Sequence, residues 1–114
     1  MSKKYLRKNE FRMDLNPAHY GKKEKPHPAY ITAKRGHKYK ANSITHARFV
    51  NNKPTKDFGE NPNKTNKLNK DLRVTRLSQP FWQNATQFSE VKLTNFRFSN
   101  RTRKKIRKYN KNFR

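Results

Sequence analysis

Four histidines, at positions 19, 27, 37 and 46, are the side chains whose type suits proton exchange near neutral pH. Their separations of 8, 10 and 9 residues match no compact metal-ligand spacing, and the chain has no cysteine. The pattern therefore points to acid–base chemistry rather than to a metal centre, and it implies no cofactor. His27 stands just before one segment of strand-like alternation, and His46 lies near the end of a second. An antiparallel hairpin would bring those two ends together. Two imidazoles with Arg35 or Lys34 in support could cleave RNA through its own 2′-hydroxyl. One would take the hydroxyl proton, the other would protonate the leaving oxygen, and the cation would stabilise the pentavalent phosphate. The competing reading is two surface histidines that hydrogen-bond locally. The sequence contains no Gly-rich phosphate loop and no nucleophile elbow, and its seven acidic residues are too scattered for a multi-carboxylate magnesium site.

Charge is the second chemical signal. Thirty Lys and Arg against seven Asp and Glu give a net charge of +23 over 114 residues. Such a chain repels itself and attracts polyanions, whether nucleic acid, an anionic membrane surface or an acidic protein. The charge is unevenly spread: residues 27–50 carry five basic side chains and residues 91–114 carry ten, with no acid in either window. Those windows also hold the most regular patterning, and one-signed structured segments point to a polyanion-binding face. Nucleic acid is the expected partner, with RNA ahead of DNA. No apolar run approaches the roughly 18 residues of a transmembrane segment. Residues 1–11 lack an apolar signal-peptide core, so a cytoplasmic location is the default expectation. Oligomeric state is not legible.

The elements that would position these groups are few. Only 30% of the residues are apolar, but eight Phe, five Tyr and one Trp can build a thin core. Residues 1–26 show no sustained period and read as a basic arm. Ala29, Ile31 and Ala33 alternate with Tyr30, Thr32 and Lys34, which is the signature of a strand. Residues 35–37 form a plausible hairpin turn, and a second strand is expected from Lys38 to His46. The Asn- and Lys-rich stretch 51–71 reads as a long exposed loop. Residues 72–76 alternate again, residues 78–89 suggest an aromatic lid around Phe81 and Trp82, and Val91–Thr94 suggests a last strand. The expected organisation is an arm (1–26), a small mainly β, α+β domain (27–98), barrel-like or a curled antiparallel sheet, and a basic C-terminal helix (99–114).

That helix is the strongest binding signal. Ser99 or Asn100 can cap it, and Thr102, Ile106, Tyr109 and Phe113 share one face. Arg101, Arg103, Lys104, Lys105, Arg107, Lys108 and Lys111 occupy the remainder, where they could lie along phosphates. With no acids to offset the like charges, the helix should need docking or a polyanion to hold it. On the hairpin, Lys34, Lys38 and Lys40 flank Tyr30 and Tyr39, which would either stack on unpaired bases or fill the core. Phe81, Trp82, Phe96 and Phe98 read as core.

The hairpin residues His27-Pro28-Ala29-Tyr30-Ile31, Lys38-Tyr39-Lys40 and Ser43-Ile44-Thr45-His46 resemble in layout the early strands of PemK/MazF-type toxins. The resemblance covers residues 27–50. It implies an SH3-like barrel, cleavage of single-stranded RNA, and an acidic antitoxin as partner. That family opens a strand with Arg-Pro and closes a later one with Thr, both used at the scissile phosphate. The matching positions are His27-Pro28, where His replaces Arg, and Thr45. Joined to the histidine pair read from the hairpin, the expected site is Thr45 with His27 and His46, with Arg35 or Lys34 supporting the phosphate. Two function classes follow: a metal-independent endoribonuclease of toxin type, or a non-enzymatic RNA-binding or ribonucleoprotein-assembly protein. A DNA-binding architectural or regulatory protein is the third.

Overall fold

The computed structural model describes residues 6–16, 19, 26–64 and 75–113. Its frame is the hairpin expected from the alternating residues: β2 (Pro28–Arg35) pairs antiparallel with β3 (Lys38–Thr45). Gly36, at the turn, has φ +60°, a conformation that costs glycine little. The register slips by one residue between Ile31 and Ala33. Thr32 is the extra residue of this bulge, and its hydroxyl donates to the Lys40 carbonyl at 3.3 Å.

The far edge of β3 is covered by one interrupted strand. β7 (Arg76–Leu77) pairs with Thr45 and Ile44, and β8 (Phe81–Asn84) pairs with residues 38–41. Between them Ser78 folds back, its N–H donating to the Ser43 carbonyl at 2.9 Å while its Oγ accepts from the Ser43 N–H at 2.8 Å. Phe81 and Trp82 thus belong to a sheet strand, not to a lid. β1 (Phe11–Met13) lies on the other edge of β2, and β6 (Lys56–Asp57) lies beyond β7. Among the described residues the path β1-β2-β3-β7-β6 does not close, so the fold is an open, mainly antiparallel sheet with one helix.

Three other expectations need correction. Part of the expected arm is built into the fold: Leu6 and Phe11 are buried. A three-residue strand is too short to show a period, which is why it was not legible. The start of the expected 51–71 loop is structured: Phe49–Val50 (β4), just before it, and Lys53–Pro54 (β5) form a hairpin through Asn51 and Asn52, whose φ values are +51° and +64°. Two left-handed residues suit a tight hairpin, and Asn tolerates them better than most side chains. Thr55 and Phe58 are buried beyond it. Val91–Thr94 is not a strand; the Leu93 N–H donates to the Phe11 carbonyl at 2.8 Å. Residues 72–74 of the expected third strand lie outside the described residues.

The sheet is buried on both faces. On one, Phe11, Tyr30, Ile44, Leu77 and Phe98 pack with Ile106 of the helix; on the other, Leu6, Ala29, Ile31, Tyr39, Ala41 and Phe88 pack together. Phe11, Tyr30 and Phe98 form a ring trio with centroids 5.0–5.3 Å apart. Aromatic packing of this kind lets a chain poor in aliphatics hold a core.

Candidate nucleic-acid interface

Helix α1 (Asn100–Asn110) carries the densest charge, so what holds it decides where that charge points. Ser99 caps it, accepting from the Thr102 N–H at 3.3 Å. Glu60 completes the N-terminus from another part of the chain. Its carboxylate accepts from the Ser99 N–H and hydroxyl at 2.9 and 2.6 Å and from the Thr102 hydroxyl at 2.7 Å. Burial alone would raise the Glu60 pKa, but these hydrogen bonds, with one from Lys64, hold it down at about 2. At the other end Lys40 donates to the carbonyls of Asn110 and Phe113 at 3.4 and 3.1 Å, where the helix dipole favours a cation. Burial and then the neighbouring Arg35 lower the Lys40 pKa.

At the same end, Asn42 and Asn110 exchange amide hydrogen bonds of 2.9 and 2.8 Å in the buried layer. Asn42 also donates to the Ser78 carbonyl at 3.0 Å. This pair fixes both the azimuth and the register of the helix on β3. The buried seam is Thr102, Ile106 and Asn110; Tyr109 packs edge-on against Phe58 at 5.5 Å and Phe113 tilts against Tyr109 at 5.1 Å. Arg101, Lys104, Lys105, Arg107, Lys108 and Lys111 are exposed, while Arg103 is half-buried.

Cross-strand partners share a sheet face. Asn42 lies under the helix, so Lys40 with its partner Trp82, and Lys38 with Arg35, continue that face beyond the helix C-terminus. Trp82 is half-buried there, with the Arg35 guanidinium 5.1 Å and the Lys40 ammonium 5.9 Å from its ring centroid. Arg35 and Lys38 are exposed and extend the basic row of α1; Lys34 belongs to the opposite face, beside Tyr39. Trp82 was expected in the core, and only the strand register reveals its position among cations.

Several expected binding residues serve the fold instead. Tyr30 and Tyr39 are 0% and 2% exposed, so neither ring can receive a base. Lys40 is committed to the helix terminus. Arg12 is similarly used, bonding to Glu10 and to the Ser89 and Glu90 carbonyls.

The expected catalytic set is split. His27 immediately precedes β2, and Thr45 ends β3 with its hydroxyl accepting from the Ala47 N–H at 3.0 Å. His46 is exposed in the bend that follows. Continuing the Ala29–Ser43 register would set 27 opposite 45, so these three residues lie at one end of the hairpin. Arg35 is at the other end, paired with Lys38 seven residues up β3, about 23 Å away. It cannot support a phosphate at Thr45. The cation at that end is Arg76, which is paired with Thr45 and donates to the Thr55 hydroxyl and carbonyl at 2.8 Å each. Non-local pairing put it there, and spacing in the chain gave no sign of it.

A small cleft on the sheet is lined by His19, Lys53, Gln79 and Phe81 among others and holds about 180 Å³. Ligand pockets usually run from roughly 300 Å³ upward. His19 there bonds the buried Asp14 at 2.7 Å, and Asp14 also accepts from Gln83 at 2.9 Å. The extended basic face is the larger chemical feature. Comparisons of the chain with family models, curated proteins and solved structures find no match.

Proposed function

We propose that this protein binds RNA along the outer face of α1 and the adjoining end of the β2–β3 hairpin. The observation that carries this reading is the docking of α1. A helix with no acid among its residues is held at its N-terminus by Glu60, along its middle by buried Ile106, and at its C-terminus by Lys40 and the Asn42–Asn110 pair. Its cations are thereby held outward as a fixed row instead of a frayed tail. Such a row suits phosphates. Trp82 beside Arg35 adds a ring edge and a guanidinium plane, both of which suit an unpaired base and favour single-stranded RNA over duplex DNA. The test is titration of labelled single-stranded RNA and duplex DNA with the parent and with a Lys104→Gln, Lys105→Gln, Lys108→Gln, Lys111→Gln variant. The parent should prefer the RNA, and the variant should lose affinity for both. Equal affinity of parent and variant would remove α1 from the interface.

The placement of His27, Thr45 and His46 at one end of the hairpin, with Arg76 across from Thr45, supports a second reading. In it the protein is a metal-independent endoribonuclease of the PemK/MazF toxin type, and an acidic antitoxin would cover the basic face. RNA incubated in EDTA should then yield 2′,3′-cyclic phosphate ends, and a 2′-methoxy group at the cleaved position should prevent them. Intact RNA under every condition leaves the non-enzymatic reading alone.

A further inference from the structure

Arg103 and Arg107 lie one turn apart on α1, on its flank toward the N-terminal segment. Arg107 Nη2 donates to Asn9 Oδ1 at 3.3 Å. The Tyr30 hydroxyl, reaching up from the sheet, donates to the same oxygen. Asn9 is fixed in place: it sits at φ +71°, and its N–H donates to the Ile31 carbonyl at 2.8 Å. Burial pushes the Tyr30 pKa up to about 12, against the opposing pull of Arg103 and Arg107.

The electrostatics of the spot are unbalanced. Arg103 Nε is buried and has no hydrogen-bond partner among the described residues. Neither arginine joins an ion pair among those residues; Glu10 nearby in sequence is occupied by Arg12 and by the Arg7 N–H. A buried donor left unsatisfied is rare in native structures and calls for a water, an ion or a ligand. Two like charges four residues apart also repel one another. A tetrahedral oxyanion would relieve the repulsion, because guanidinium donors match its oxygens in a fork geometry that an ammonium cannot copy.

We infer that Arg103 and Arg107, steadied by Asn9 and Tyr30, form a built clamp for one backbone phosphate of the bound RNA, distinct from the diffuse lysine row outside it. This rests on the RNA-binding reading above. The clamp depends on arginine geometry; the row depends only on charge.

The experiment uses the full chain and a single-stranded RNA 12-mer. Arg103→Lys/Arg107→Lys keeps the net charge and removes the forks. Lys104→Arg/Lys108→Arg is the matching exchange on the exposed row, and far-UV circular dichroism checks folding of both. The clamp predicts that the first variant binds at least about tenfold more weakly than the parent, while the second stays within about twofold. Parent-like affinity in the first variant overturns the clamp and leaves phosphate binding by the row intact. Absence of RNA binding by the parent itself would instead overturn the reading on which the clamp rests. Inorganic phosphate supplies the second arm and separates the source of the anion. It should raise the melting temperature of the parent more than that of Arg103→Lys, and equal shifts would contradict a site at Arg103. If phosphate protects the parent selectively but the 12-mer binds both proteins alike, the occupant is a free anion and the RNA assignment is wrong.

Discussion

Glu60 is one of seven acids in a chain of +23, and its use shows how much a single residue can decide. It neutralises the helix N-terminus, which is also where the dipole favours negative charge. Glu60→Gln should lower stability by about 2 kcal/mol, the usual scale for hydrogen bonds to a charged group, as read by urea denaturation. Because its folded pKa is depressed from 4.5 to about 2, the stabilisation is complete above pH 4.5 and is lost as pH falls toward 2. The stability difference between parent and Glu60→Gln should therefore shrink across that window; a constant difference would assign the loss to packing. Asn42 and Asn110 make a parallel case. Asn42→Ala should cost about 1–3 kcal/mol by leaving the Asn110 amide oxygen buried and unpaired, and a double-mutant cycle should show strong coupling between the two. Neither role was legible in the sequence. Their partners lie 68 positions apart, and no local pattern encodes that distance. For Tyr30 and Tyr39 alternation left base stacking and core filling both open, because it does not say that both faces of the sheet are covered.

At the scale of elements, period was a good guide where it could run. The β2–β3 hairpin and α1 span 8, 8 and 11 residues, long enough for alternation or a helical seam to show. The remaining strands have two to four residues; β1, β6, β7 and β8 owe their existence to pairing with the long hairpin or its neighbours, and β4 and β5 pair with each other. That is why Phe81–Asn84 looked like a lid and Phe11–Met13 like an arm. The register of β8 carries a functional consequence, since it sets Trp82 across from Lys40 and under Arg35. If that ring receives an unpaired base, Trp82→Ala should weaken single-stranded RNA binding by roughly tenfold, within the 1–3 kcal/mol scale of base stacking. Duplex affinity should change little, and fluorescence of Trp82, the single tryptophan, should be quenched in the parent as the single strand is added. Equal losses for both forms of nucleic acid would mean that the substitution acts through Lys40 and the helix terminus.

For the whole molecule, the puzzle is how so basic a chain packs to a radius of gyration of 13.4 Å, close to the roughly 13 Å of an ordinary domain near this length. The sheet answers part of it by burying aromatics on both faces. The rest lies in the sorting of charge. Of the five described acids, Glu10, Asp14 and Glu60 are drawn inward to satisfy Arg12, His19 and the helix end, while Asp57 and Glu90 stay exposed. Arg12, Lys40 and Arg76 are likewise consumed by backbone and side-chain oxygens. What remains outward on α1 and the hairpin tip is positive. Composition alone foretold the excess, but not which cations the fold would spend on itself. The central claim is that this remaining charge binds RNA by neutralising phosphates, and the most direct test is the dependence of affinity on salt. Engagement of about six to ten phosphates predicts that log affinity falls linearly with log salt concentration, with a slope of roughly −4 to −9. A nearly flat response between 50 and 300 mM salt, on the order of one unit of slope or less, would contradict the account.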